Sequence, residues 1–443
     1  MFHQHIASTV LFLSSTGMPN MIRAIVNVTV LSIFGHGLLH AQSPSVATTP
    51  LPSADAADVG MSPDALRKVD AAMQESIDQN RIPGGIVMIA RHGKVVMHKA
   101  YGKMDLEADK PMKPDTIVRI YSMSKAITTA AALMLYEDGK LDVDDPVSKY
   151  LPELKSVMVA ADGETHPAKQ TMTIADLMRH TAGYTYGRSG NSLHDEAFKE
   201  LDMLQRDDSL EAMQTKLAKL PLVFEPGTDW QYGISIDVLG RVIEVVSGET
   251  LGDFLHKRIF DPLEMKDTDF FVPADKVDRF AANYNTDGKG KLTLGDAASE
   301  SPYLTSPEFE SGGGGLVSTA EDYMRFLLMI AAGGEFNGTR LLSPETVALM
   351  TTNQVPESVG WIKFGKEARG GVGFGFGFSV RESMSDWDPD GRVGEYGWGG
   401  AASTHYWVSP KDNLVVITIE QIMPYQWLTE FKLKGLIYDA IVQ

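Results

Sequence analysis

A serine hydroxyl and a lysine amine stand three residues apart in Ser122-Met123-Ser124-Lys125. On a helix, positions three apart share a face, so the two groups come within reach of each other. A hydroxyl is a weak nucleophile at neutral pH and needs a neighbouring proton acceptor. A lysine in a dry pocket loses part of its preference for the charged form and can help supply one. The competing reading of Ser122 is a helix cap. This is the one Ser-x-x-Lys in the chain, and it opens an unusually apolar stretch that includes Ala126, Ile127, Leu133 and Leu135. A helix apolar nearly all round belongs at the centre of a molecule. The pattern predicts one helix from Ser122 to Asp138, closed by Gly139.

Two further segments carry groups that could join this pair. Tyr232, in Trp230-Gln231-Tyr232-Gly233, offers a phenol that can act as a base beside an amine. Trp398-Gly399-Gly400-Ala401 places small residues on what reads as an edge strand, where a substrate can approach the backbone. The Ala401 amide is then a candidate oxyanion donor beside the Ser122 amide.

The surrounding chain must position these pieces. Ser62-Pro63 is a capping serine followed by proline at the first helical position, so a helix runs from there to about Asn80. Strands are expected at Gly85–Arg91 and Val95–Tyr101, turned by His92-Gly93. From about 140 to 330 the chain reads as helical with long loops. Thr173 opens a short helix that stops at His180-Thr181-Ala182-Gly183, which reads as an ordering turn, not a proton carrier. Another helix spans Asp237–Ser247. Gly312 to Gly315 reads as close backbone packing or a hinge, since no phosphate-loop lysine follows. Ser318 to Glu321 reads as a capping box for a helix to about Ala332. Strands return at Phe374–Val380, Ser403–Val408 and Leu414–Glu420, with antiparallel neighbours, before an amphipathic helix from Trp427 to Val442. Strands at both ends around a helical middle imply one sheet assembled from both termini, with the site between sheet and helices.

Composition narrows the chemistry. The chain has 443 residues, 43% hydrophobic, with formal net charge -18 and no basic run. Nucleic acid and anionic membrane surfaces are therefore unsuitable partners. Cysteine is absent, which excludes disulfides, thiol catalysis and cysteine-held metal. No His-Glu-x-x-His, Gly-x-Ser-x-Gly or Walker motif occurs, so neither metal nor cofactor is expected. Residues 1–41 read as an export signal. Arg23 supplies the positive start, Ala24 to Leu39 the apolar run, and Leu39-His40-Ala41 the cleavage site. The pattern starts at Met21, which makes Met21 an alternative translation start. Ala24 to Leu39 is short for a membrane span, so no stable anchor is expected, and the location is periplasmic or secreted. Residues 42–59 read as a flexible lead-in to a single unit, 60–443. Its sheet region is 60–115 plus 330–443, and its helical region 116–329.

Ser122-x-x-Lys125, His180-Thr-Ala-Gly183, Tyr232, the Gly312–Gly315 run with Leu316-Val317-Ser318-Thr319, and Trp398-Gly399-Gly400 follow one another in an order that resembles the class C β-lactamase-like serine hydrolases. That superfamily includes penicillin-binding proteins, DD-peptidases and family VIII esterases. The resemblance covers about Gly60 to Val442. It implies an α/β (α+β) fold with an antiparallel sheet of five or more strands, flanked by helices. It also implies Ser122 as the acylated nucleophile, proton work shared by Lys125 and Tyr232, and oxyanion contacts from the amides of Ser122 and Ala401 beside Trp398, Gly399 and Gly400. The departures bear on substrate. Ile234 stands where the β-lactamases carry the asparagine of Tyr-x-Asn, and Trp398-Gly399-Gly400 replaces Lys-Thr-Gly. Without that lysine and that amide, a β-lactam or D-Ala peptide loses its polar partners. The pattern resembles the esterase branch. The expected partner is a small, neutral acyl ester. A β-lactamase or peptidase, an acyltransferase, and an inactive binding protein are the alternatives.

Overall fold

The computed structural model describes residues 49–364 and 367–442, and the leader expected over 1–41 lies outside them. Residues 49–59 of the lead-in are tied to the body. The Thr49 backbone N–H donates to Glu264 at 2.7 Å, and the Ala54 N–H to the Val95 carbonyl at 3.1 Å.

The sheet is built from both ends of the chain, as expected. Helix α1, Pro63–Asp78, starts where the Ser62 side chain accepts the Ala65 N–H. Strands β1, Gly84–Arg91, and β2, Lys94–Asp105, form the hairpin, with β3, Lys110–Pro111, outside them. The carboxyl-terminal hundred residues add β4, Val372–Phe374, β5, Ser379–Arg381, β6, Tyr396–Gly400, β7, Thr404–Ser409, and β8, Leu414–Ile419. The order is β4-β5-β6-β7-β8-β1-β2-β3, with every neighbouring pair antiparallel.

Alternation along β1 splits its side chains between two cores. Val87 and Ile89 face α1 and the terminal helix, Trp427–Asp439, beside Met73, Leu433 and Ile437. Ile86 and Met88 face the larger core, which holds the central helix α2, Ser124–Glu137. Every side chain of α2 from Ser124 to Leu135 is buried.

Several expectations needed correction. The predicted strand Phe374–Val380 is the hairpin β4–β5. Gly377 adopts φ 90°, and a Cβ on Gly375 would stand 2.0 Å from the Met350 carbonyl oxygen, so the chain turns there. The helix at Ala320–Ala331 is capped by Thr319, which accepts the Asp322 N–H; Ser318 lies in a short strand instead. That helix packs on β1 and β8, so the helical region as drawn included an element of the sheet layer. The same region also holds two strand pairs, Met158–Ala161 with Glu164–Pro167 and Asn283–Thr286 with Leu292–Asp296. The terminal helix ends at Asp439 and buries Glu430 and Lys434, because each has polar partners: His405 Nε2 and the Tyr425 hydroxyl for Glu430, Glu395 and Asp388 for Lys434. Among the described residues, no helix is long and apolar enough to cross a membrane.

Candidate active site

Ser122 sits in a 3-10 turn, Tyr121–Met123, and the α-helix begins only at Ser124. Tyr121, just before it, has φ 41°, a left-handed conformation that side chains other than glycine adopt at a cost of about 1–2 kcal/mol. No side-chain cap bond forms at Ser122. The capping role falls away, and the hydroxyl lines a cavity of about 320 Å³ between sheet and helices. Ser124, by contrast, is a packing residue: its hydroxyl donates to the Tyr121 carbonyl at 2.6 Å and accepts the Leu316 N–H.

Lys125 is completely buried under this turn. Its Nζ donates to Ser122 Oγ at 3.2 Å, to the Tyr186 hydroxyl at 3.0 Å and to the Gly313 carbonyl at 2.5 Å. An ammonium has three protons to give, and all three have acceptors. Burial works against the charge. The oxygens of Tyr186 and Tyr232 and the Asp237 carboxylate outweigh it, so the lysine pKa lies above its ordinary value. Burial alone would favour the neutral amine, as expected, and the oxygens around Lys125 act against it.

The Gly312–Gly315 run is close packing. A Cβ on Gly313 would lie 2.4 Å from Asp237 Oδ2, and one on Gly312 would lie 2.8 Å from a Thr128 methyl. Asp237 Oδ1 accepts the Gly313 N–H at 3.0 Å and the Ser311 hydroxyl at 2.5 Å. The same peptide segment therefore passes its N–H to Asp237 and its carbonyl to Lys125. Burial pushes the Asp237 carboxyl up, against Lys125 and these two hydrogen bonds, which hold it down.

Tyr232 comes from the loop before the helix Ser235–Ser247. Its ring centroid lies 4.7 Å from Lys125 Nζ, and its hydroxyl accepts Trp398 Nε1–H at 3.1 Å. His180 braces it from behind. That residue has φ 62°, its carbonyl accepts the Gln231 N–H at 3.0 Å, and its ring stands 4.8 Å from the Tyr232 ring. Burial, then the charge of Lys125, holds the His180 pKa well below its ordinary value, so the imidazole is neutral. Neither ring nitrogen has a partner among the described residues.

Strand β6 is not at the edge of the sheet, as expected, but third from it. Its pairing with β5 stops at Ser379–Gly397, so Trp398, Gly399 and Gly400 form a local free edge above the cavity. Ala401 follows and lines the same cavity as Ser122. The glycines there are spatial requirements. A Cβ on Gly400 would stand 2.2 Å from the Ile120 carbonyl oxygen, and one on Gly399 would stand 2.7 Å from the Tyr425 hydroxyl. Gly400→Ala is expected to displace the turn carrying Ser122. Its turnover of an activated ester should fall on the order of 10²-fold, as small misplacements of a reacting group do. Initial rates and a melting curve on the purified variant check this.

The structure thus gathers Ser122, Tyr232, Trp398, Gly399, Gly400 and Ala401 around one cavity, with Lys125 buried beneath it in contact with Ser122. It also adds Tyr186, Asp237 and Arg369, which the sequence reading did not single out. His405 lines the cavity wall as well, with Nε2 2.9 Å from Glu430.

The architecture is a β-lactamase-like α/β fold, an antiparallel sheet flanked by helices with the cavity between them. The Beta-lactamase family model matches residues 69–426, and the chain belongs to that family. It is 35% identical over 366 residues to Protein Rv1367c of Mycobacterium tuberculosis, covering 80% of this chain and 89% of that one. It is 31% identical over 370 residues to Esterase EstB of Burkholderia gladioli, again covering 80% and 89%. Among solved structures it is similar to EstCE1, a hydrolase with promiscuous acyltransferase activity, at TM-score 0.69 and 28% identity, covering 84% of this chain and 98% of that one.

Proposed function

We propose that this protein is a carboxylesterase that works through an acyl-enzyme on Ser122. The observation that carries the reading is the Lys125 ammonium, which holds Ser122 Oγ while its charge sits 4.7 Å from the Tyr232 ring centre. In acylation, Ser122 Oγ bonds to the ester carbonyl carbon and its proton passes to the Tyr232–Lys125 pair, which enters the step one proton short, as phenolate beside ammonium. We assign the accepting oxygen to Tyr232, because all three lysine protons are already donated. The carbonyl oxygen gains the negative charge and takes the amides of Ser122 and Ala401. The C–O bond to the leaving alcohol then breaks, and the stored proton goes to that oxygen. Water repeats the sequence on the acyl-enzyme, releases the carboxylic acid and restores the serine hydroxyl.

The site favours small acyl groups with an apolar reach. The cavity wall that holds Ser122 also holds Trp398 and Phe364, whose ring centres lie 5.9 Å apart, and Phe374 backs Trp398 at 5.2 Å. No cation stands on β6 where a β-lactam carboxylate would be held. The similarity to Esterase EstB points the same way. The leader pattern of residues 21–41 keeps export as part of this proposal. A panel of p-nitrophenyl esters from acetate to octanoate, with nitrocefin alongside, tests the reading. The expected result is a maximum in kcat/KM among the short esters and an efficiency on nitrocefin at least 10²-fold lower. A higher efficiency on nitrocefin would assign the site to β-lactams.

Acyl transfer is the second reading, and it has a specific observation behind it. A second cavity, of about 490 Å³, opens on the other side of Tyr232 and is lined by Thr185, Tyr186 and Gln231. An acceptor alcohol seated there could take the acyl group in place of water. Product analysis with added alcohols separates the two.

A further inference from the structure

The wall of the first cavity carries several charged or titratable groups in addition to those around Ser122, and most are matched. Arg381 meets Asp388 at 2.7 Å, and Lys434 meets both Asp388 at 2.7 Å and Glu395 at 3.1 Å. Glu430 takes His405 on one oxygen at 2.9 Å and the Tyr425 hydroxyl on the other at 2.7 Å. Arg369 differs. It lines the same cavity, and among the described residues it forms no ion pair, although Glu430, Glu367 and Asp388 lie near enough to act on its charge.

Aromatic rings surround this cation. Its Cζ lies 3.6 Å from the Trp387 ring centre, and 4.4 Å from those of Trp427 and Phe364. Ring contacts of this kind hold a guanidinium through its charge and use none of its N–H donors as hydrogen bonds to carboxylate. The rings also fix the side chain, so little freedom is lost when a ligand arrives. Burial lowers the Arg369 pKa to about 10, still far above neutrality, so the group is charged. A half-buried guanidinium on the cavity wall with no carboxylate in contact offers donors that a ligand carboxylate can take two at a time.

Its position relative to the chemistry is set by one ring. Phe364 lies 5.9 Å from the Trp398 ring and 4.4 Å from Arg369, while Trp398 donates to the Tyr232 hydroxyl. Two aromatic rings, Trp398 and Phe364, therefore link Tyr232 to the cation along the cavity wall. We infer that the preferred substrate is an ester bearing a carboxylate, held by Arg369 at the far end of a short apolar spacer from the scissile carbonyl. This rests on the esterase reading and deepens it. The neutral ester expected from the loss of a lysine on β6 describes the ground beside Ser122; the cavity restores a cation further out. The chain's net charge of -18 makes the prediction sharp, since without a local cation an anionic ester would be repelled.

The test compares acids with their methyl esters, which differ in charge and little else. The first pair is the p-nitrophenyl half-ester of adipic acid against its methyl diester. A second, 6-(butyryloxy)hexanoate against its methyl ester, moves the carboxylate to the alcohol side. In at least one pair the acid should show a kcat/KM about 10-fold higher at low salt. Arg369→Gln and Arg369→Ala should each cut that acid-to-ester ratio at least 10-fold. Calorimetric titration of the same ligands into the Ser122→Ala protein reads affinity without turnover, and there the acids should bind about 10-fold more tightly, again through Arg369. Turnover of the neutral esters with no acid preference in either pair overturns the inference and leaves the esterase reading intact. An equal loss for acid and ester in the Arg369 variants also overturns it, because it assigns the residue to packing. Absence of turnover with preserved acid preference in titration overturns the esterase reading alone.

Discussion

Ser122→Ala should abolish hydrolysis of p-nitrophenyl butyrate, with a loss in kcat of at least about 10⁴-fold, because no other hydroxyl in the cavity can take the nucleophile's place. Ser124 is the nearest rival by sequence, and its oxygen is engaged by the Tyr121 carbonyl and the Leu316 N–H. The substitution removes one oxygen from a half-buried position and leaves Lys125 with Tyr186 and Gly313 as acceptors, so the fold should survive. A far-ultraviolet spectrum and melting temperature close to wild type would establish that the loss is chemical. A serine-reactive phosphonate should label the wild-type protein at one site, and mass mapping should place it on Ser122. Turnover above about one part in a hundred, or labelling elsewhere, would remove the acyl-enzyme from consideration.

The pair at the heart of this prediction was legible because it is local. Ser122 and Lys125 lie on one turn, and the apolar run that follows announces burial without reference to anything distant. The Ser62-Pro63 start and the His92-Gly93 hairpin are legible for the same reason: caps and turns are written within four residues. The strand break at Gly375–Phe378 was not, since it is imposed by the Met350 carbonyl, a backbone atom from a separate helix. Nor was the free edge of β6, which depends on where β5 stops pairing.

Tyr232 entered through family resemblance, since thirteen other tyrosines carry the same phenol. Tyr186 shows what composition hides. It has the same chemistry as Tyr232 and a closer bond to Lys125, yet nothing around Tyr184-Thr185-Tyr186 distinguishes it until the chain folds. Asp237 and Arg369 were equally silent. An aspartate near a helix start reads as a cap, and an arginine in a glycine-rich loop reads as surface. Only burial against Gly313 in one case, and among Trp387, Trp427 and Phe364 in the other, gives them meaning. Titration was the hardest to foresee. Sequence placed Lys125 in an apolar helix, which argues for a neutral amine; the oxygens of Tyr186, Tyr232 and Asp237, all from beyond that helix, act in the opposite direction.

That reversal makes the stability of two variants as informative as their rates. Lys125→Met and Tyr232→Phe should each lower kcat/KM by about 10² to 10⁴, the range for a positioned acid or base. Their folding energies should part company. Removing a charged amine strands the buried Asp237 carboxylate, the Gly313 carbonyl and the Tyr186 hydroxyl, and breaking a buried charge arrangement on one side costs about 3–5 kcal/mol. Removing the Tyr232 hydroxyl costs the Trp398 indole one acceptor, about 1 kcal/mol. Urea denaturation with equal m-values reads both. If Lys125→Met proves as stable as Tyr232→Phe, the lysine is neutral in the folded state, its lone pair is free, and the role of proton acceptor passes from the phenol to the amine. If the gap is as large as expected, the lysine is a fixed cation that positions Ser122 and steadies negative charge on Tyr232, and the phenol carries the proton.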